Sequence, residues 1–279
     1  MARAARERSE QERETAAVTA RAWVGNLRRV SGHSKWATIK HRKGAADAKR
    51  GKLFAKLIKQ VEVAARQGGG DPDANPTLRT MYQKARDNSV PLDTIERAVK
   101  RGTGELDGVS YESITYEGYA PGGVALYIEC LTDNRNRTGS EVRSTLTRNG
   151  GSLAEPGSVA WQFERKGLVL VPSAEASEDD LMMVVLDAGA EDLDAEGDMW
   201  RVTTDPGDLN AVRDALAEAE ISFASADLTM LPSSTVAVTE PGTARSVLKL
   251  MDLIDDLDDV QDVHSNFDIG DDLIEELAG

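Results

Sequence analysis

Residues 124–148 read VALYIECLTDNRNRTGSEVRSTLTR. Val124–Leu131 is a short, strongly β-prone apolar run and predicts a strand. Thr132–Arg137 is polar and predicts a loop, after which a helix is expected from about Gly139 to Arg148. A strand, a short loop and a helix open a β-α-β unit. Outward from here the alternation continues. Strand signals return at Val159–Phe163 and Leu168–Val171, followed by a helix from about Glu178 to Ala188. Asp192–Leu193 and Met199–Thr203 are strand candidates, and Asp208–Glu220 is a helix. Ser222–Leu231 and Ser234–Val238 read as strands, Ala244–Leu257 as a helix and Val260–Phe267 as the last strand.

Such units pair into β-α-β-β-α-β ferredoxin-like sandwiches, and either half alone leaves a sheet face uncovered. The expected class is therefore α+β: a helical bundle followed by two α/β domains, one nested in the other. Residues 166–232 form an inserted acidic α/β domain, and 105–165 plus 233–279 form the domain that receives it.

Toward the N-terminus the period changes. Leu53, Phe54, Leu57, Ile58, Val61 and Ala65 make the stripe of an amphipathic helix over 47–67, with Lys52, Lys56 and Lys59 off it. Gly68-Gly69-Gly70 ends it. Asn75 is an N-cap with Pro76 in the first turn of a second helix. Pro91 and Asp93 open a third, which stops at Gly102. Residues 31–104 are thus a basic helical domain.

Its first part, 31–52, reads SGHSKWATIKHRKGAADAKRGK: seven Lys or Arg around Trp36, interrupted by a single acid, Asp47. Cations meet phosphates and an aromatic ring can stack on a base, so the segment suits a nucleic acid. Residues 31–101 hold 16 Lys and Arg against 7 Asp and Glu, a net of +9; residues 1–30 carry +3 and residues 102–279 carry −27, giving −15 for the chain. Charge segregated in this way lets one end approach a polyanion, because salt screens repulsion from the acidic body beyond about 8–10 Å. The plainer alternative is a solvated helix face.

Cys130 is the single cysteine, so no intrachain disulfide is possible and a reducing compartment fits. No apolar run approaches a membrane span. A cytoplasmic protein without a membrane partner is expected, with the monomer favoured. Residues 1–30 lack an apolar h-region and carry four glutamates, which argues against secretory and mitochondrial targeting alike. They read as a flexible or frayed helical extension, or as an upstream gene-calling artefact if Val30 is the initiator.

No catalytic constellation is present, so no enzyme, cofactor or metal site is expected. His33, His41 and His264 read as phosphate contacts, caps or surface residues, and Cys130 as a core residue in its strand. The acidic run Asp252–Asp259 lacks the glycine and spaced glutamate of a calcium loop and reads as the solvated side of a helix. Asn134, Arg135, Asn136 and Arg137 lie between strand and helix, where forked guanidinium donors and free amides favour anions; they are a candidate second contact. Equally, the Asp and Asn there are suited to capping. Gly118-Tyr119-Ala120-Pro121-Gly122-Gly123 is expected as a neighbouring loop.

At GHSKWATIKHRKGAADAKRGKLF (residues 32–54) the chain closely resembles the YebC/PmpR family, which includes a mitochondrial translational activator. The resemblance continues through Asn75–Arg79, Pro91–Gly102, Tyr116–Gly123, Asp133–Thr138, Gly150-Gly151 and Ser158–Phe163. It implies three domains and nucleic-acid contact without an active site. It also implies one of two roles: a DNA-binding transcriptional regulator, or a translation factor acting on ribosomes stalled at proline-rich sequences. The primary surface is expected at Lys35, Trp36, Lys40, His41, Arg42, Lys43, Lys49, Arg50 and Lys52. Because that segment is mostly lysine, a point charge suited to phosphates more than base edges, it favours backbone and shape recognition of ribosomal RNA over sequence-specific DNA.

Overall fold

The computed structural model describes residues 47–270 and 272–274. Helix α1 (Asp47–Gly68) packs against α2 (Pro76–Asp87) and α3 (Leu92–Thr103). Their core is Leu57, Val61, Leu78, Ile95 and Ala98, each nearly fully buried. Asn75 ties the first two helices together. Its Oδ1 accepts from the Leu78 amide, and its Nδ2 donates to the carbonyls of Ala64 and Gly69, both at 2.9 Å. Gly102 lets α3 approach α1: a Cβ there would lie 2.4 Å from the Glu62 carbonyl oxygen, so any side chain would force the helices apart.

β1 (Glu112–Tyr119) and β2 (Ala125–Thr132) then form a hairpin, followed by α4 (Arg135–Arg148) and β3 (Ser152–Leu153). A 3-10 turn at Ala160–Gln162 leads into β4 (Phe163–Pro172), α5 (Glu178–Leu186) and β5 (Ala190–Glu196). Next come β6 (Met199–Thr204), α6 (Leu209–Glu218) and β7 (Ser225–Pro232). The chain returns through β8 (Val236–Ala237), α7 (Pro241–Asp255), β9 (Val260–Ser265) and β10 (Phe267–Asp268).

The inserted sheet has the order β5-β6-β4-β7 with every pairing antiparallel, the ferredoxin-like arrangement. The receiving sheet, β3-β1-β2-β9, is likewise antiparallel throughout. It follows the same plan with one change: the strand between the helix-linked pair comes from before the unit, as β1, instead of from a hairpin after it. A helical bundle followed by two α/β domains is therefore the architecture, in agreement with the sequence.

The differences are local and have physical causes. β1 is absent from the expected strands because its ESITYEGY carries two glutamates and a glycine; pairing on both sides, with β2 and β3, holds it. Val159–Phe163, expected as a strand, is the 3-10 turn plus the first residue of β4. The helix expected from Gly139 begins four residues earlier, so Arg135–Arg137 form its first turn and not a loop, with Asn134 as N-cap. His264, expected at the surface or as a cap, is 1% exposed. It lies where the receiving sheet meets the inserted one, its Nε2 3.0 Å from Glu129 and its Nδ1 3.4 Å from the Thr229 hydroxyl.

Helices α4 and α7 cover one face of the receiving sheet, burying Leu126, Ile128, Val142, Leu146, Leu250 and Ile254 between them. The other face, with Ala125 and Tyr127, packs on Phe163 and Met230 of the inserted domain. The helical layer is thereby left on the outside.

Candidate nucleic-acid interface

Of the expected primary surface, Lys35, Trp36, Lys40, His41, Arg42 and Lys43 lie outside the described residues, as do the side chains of Lys49 and Arg50. What the structure shows is the helix that follows, α1, with Lys52 on it. Lysines 52, 56 and 59 recur once per turn along one side of α1 and meet the C-terminal end of α7, where carbonyls lack helical partners and the helix dipole is negative. Lys52 Nζ donates to the Asp256 carbonyl at 2.8 Å, Lys56 to the Asp255 carbonyl at 2.6 Å and carboxylate at 3.2 Å, and Lys59 to the Asp258 carbonyl at 3.0 Å. The acidic run is thus not simply the solvated side of a helix. Asp255 and Asp259 face the lysines of the basic domain. Lys52 itself is exposed and already holds this carbonyl.

Asp259 is the centre of this junction. Its carboxylate, 4% exposed, accepts from Lys59 Nζ at 3.1 Å, Arg137 Nη2 at 2.6 Å, Thr138 Oγ1 at 2.8 Å and Thr132 Oγ1 at 3.1 Å. Burial pushes its pKa up, but the hydrogen bonds from Arg137, Thr138 and Lys59 outweigh that and hold it at about 2. One carboxylate thereby joins α1, the start of α4 and the start of β9. Local sequence carried little warning, beyond the fact that Asp258 and Asp259 run past Leu257, where the helix was expected to end.

This arrangement redistributes the candidate second contact. Asn134 Oδ1 accepts from the Arg137 amide, so it serves as a cap. Arg137 is committed to Asp259 and Asp133. Arg135 is 61% exposed and stands 3.7 Å from an equally open Glu112, a pairing worth little in water. Asn136 is exposed. The turn Gly118–Gly123, expected beside these residues, sits at the other end of the hairpin: Glu112 pairs with Thr132 and Tyr119 with Ala125. Seven residue steps of strand, about 23 Å, separate the two ends.

The segment joining the bundle to β1 is tied down as well. Arg66 Nη1 donates to the Val109 carbonyl at 2.8 Å, and Lys59 lies 5.4 Å from the centre of the Tyr111 ring. A groove of about 510 Å³ runs here, lined by Ile58, Lys59, Glu62, Arg101 and Tyr111 among others. Glu62 spans it, pairing with Arg101 at 2.9 Å and Arg66 at 3.4 Å.

Burial pushes the Cys130 thiol up to about 12, leaving it a protonated core residue at neutral pH. Among the described residues no cluster of His, Cys, Asp and Glu could hold a metal ion, and no helix is long and apolar enough to cross a membrane.

Two family models match the chain: "TACO1/YebC protein N-terminal domain" over residues 34–105 and "TACO1/YebC second and third domain" over residues 111–267. A relative from Salinispora arenicola is 58% identical over 250 residues, which is 89% of this chain and 100% of its own length. One from Halothermothrix orenii is 56% identical over 251 residues, 89% of this chain and 99% of its own. Both are called probable transcriptional regulatory proteins. A crystal structure of a conserved hypothetical protein from Aquifex aeolicus superimposes with a TM-score of 0.74 at 45% identity, covering 81% of this chain and 93% of that one. The chain belongs to the TACO1/YebC family.

Proposed function

We propose that the protein is a non-enzymatic, cytoplasmic regulator of gene expression that binds nucleic acid through residues 31–52 and acts on the ribosome, relieving stalls at proline-rich sequences. The observation that carries this reading is the segregation of charge: a lysine-rich segment with net +9 over 31–101, on a body with net −27. Lys52, the last residue of that segment, meets the end of α7 together with Lys56 and Lys59, which supports the reading. Point-charge lysines favour phosphate backbone over base edges, which suits folded RNA read by shape. The proline-rich stalling role comes from the family resemblance.

A second reading, a DNA-binding transcriptional regulator, is favoured by the names of the relatives. One experiment separates them. Tagged protein is sedimented through a sucrose gradient from lysates with and without nuclease, and the bound nucleic acid is sequenced. Co-sedimentation with ribosomes and recovery of ribosomal RNA support the translation reading. Enrichment of a short promoter motif, with no ribosomal association, overturns it in favour of transcription.

A further inference from the structure

Residues 102–279 hold only ten Lys and Arg among 37 acids, and six of the ten, Arg135, Arg137, Arg143, Arg148, Arg245 and Lys249, lie on α4 and α7. The remaining four belong to the inserted domain, where three are spent on acids. Lys166 pairs with Glu164, Glu191 and Asp205, Arg201 with Asp194, and Arg213 with Asp87. The helical layer is different. Arg143, Arg148, Arg245 and Lys249 are all exposed, and none has an ion-pair partner among the described residues. In a region so rich in carboxylates, four open cations on one layer are the unusual feature.

Geometry brings them together. Leu146 and Leu250 both come within 3.3 Å of the space beside Gly151, so the two helices touch where Arg143, Arg148 and Lys249 are at most one turn away. The Pro121 ring approaches Gly150 at the end of α4, and Thr243 at the start of α7 approaches Gly122 of the same turn, so the helices run antiparallel with Arg148 and Arg245 at one end. Asn136, Ser140 and Thr147 fill the exposed face of α4 with short hydrogen-bonding groups. The α7 N-terminus adds no anion site of its own, because Glu240 already accepts from the Gly242 and Thr243 amides.

We infer that the outer face of α4 and α7 is a second nucleic-acid surface, which takes the phosphate backbone of RNA through Arg143, Arg148, Arg245 and Lys249. This rests on the reading of residues 31–52 as the primary nucleic-acid segment. The two surfaces are continuous: α1 joins α7 at Asp255 and Asp256, and along the helix Lys249 and Arg245 follow at about 10 and 16 Å. Of the acids at that joint, Asp255 and Asp259 are paired with Lys56 and Lys59, whereas Asp256 and Asp258 give Lys52 and Lys59 their backbone carbonyls. One RNA can therefore meet both surfaces by following α7 past this partly compensated joint. Flexible-linker avidity is not needed, since Arg66 and Tyr111 tie the connection down.

The test is filter binding of the full chain to deproteinised large-subunit ribosomal RNA across a salt series. Arg143→Gln/Arg148→Gln/Arg245→Gln/Lys249→Gln should lower the slope of log affinity against log salt by about 3, at about 0.7–0.9 per lost phosphate contact. Glu141→Lys, which reverses the exposed acid of α4, should raise it, and serves as an independent check should the fourfold variant fold poorly. Lys40→Ala/Arg42→Ala/Lys43→Ala is measured alongside. An unchanged slope in the fourfold and Glu141→Lys variants, with a reduced slope in the Lys40 set, overturns the second surface and leaves the primary one standing. No change in any variant overturns both.

Discussion

Asp259 shows how much of this molecule hangs on a single side chain. Four donors from three elements converge on a carboxylate that is almost wholly buried, so removing it takes one acceptor from each of Arg137, Lys59, Thr132 and Thr138 and unties α1 from the start of α4. Asp259→Ala should cost about 2–3 kcal/mol in urea unfolding at pH 7, the range of charged hydrogen bonds, because Arg137 is half-open and keeps Asp133. The pH dependence follows from the depressed pKa. An unfolded carboxyl titrates near 3.9, the folded one at about 2. Its contribution is therefore present above about pH 4 and fades as pH falls toward 2, amounting to about 2–3 kcal/mol. The stability gap between wild type and Asp259→Asn should shrink between pH 5 and about pH 2–3; a constant gap would count against the assignment. Glu117 works on the same principle, though burial acts against it: its carboxylate accepts from the amides of Gly157, Val159 and Ala160, which hold its pKa low and fix the turn into the inserted domain.

Helix α1 has two edges, and local sequence disclosed one of them. Its apolar stripe, its glycine stop and the Asn75 cap of the next helix were all legible, because periodicity and capping are set within a few residues. The lysine edge was not, since its partners lie about 200 residues away at the end of α7. β1 stayed hidden for the same reason: pairing partners make it a strand, while its own residues are indifferent. Likewise Arg135 and Arg137 look alike in sequence, and only the position of Asp259 makes one structural and leaves the other open. The lysines also differ among themselves. Lys56, with its side chain 11% exposed, bonds both the carbonyl and the carboxylate of Asp255, whereas Lys52 is exposed and holds one carbonyl. Lys56→Ala should therefore lower stability by about 2 kcal/mol, in the range of charged hydrogen bonds, and Lys52→Ala by less than about 1 kcal/mol. Equal losses in chemical denaturation would show that the edge is energetically uniform.

Ion pairs tie the basic bundle to both of the other domains. The basic bundle reaches the receiving domain through the α1 lysines, and the inserted domain through Lys84 to Asp227 at 2.9 Å and Asp87 to Arg213 at 2.9 Å. Burial alone would lower the Lys84 pKa, but Asp227, with Asp262 and Glu129 behind it, raises it well above the ordinary lysine value. Stability from a raised lysine is fully present below its unfolded pKa of about 10.4 and is lost only as pH climbs through the folded value, so this clamp is closed at every physiological pH. Clamped domains should unfold together. Calorimetry of the wild type is expected to show the bundle melting with the α/β domains in one transition, since Lys84 draws on carboxylates from both of them. Lys84→Gln/Arg213→Gln removes the cation from each contact with the inserted domain and leaves the cores intact. That variant should shed the bundle in a separate, earlier transition, and hydrogen exchange should rise in α2, which carries Lys84 and Asp87, before it rises in β4. A single transition at the wild-type temperature would mean that the bundle is held without these two ion pairs. The mounting of the basic segment would then depend on the α1–α7 edge by itself.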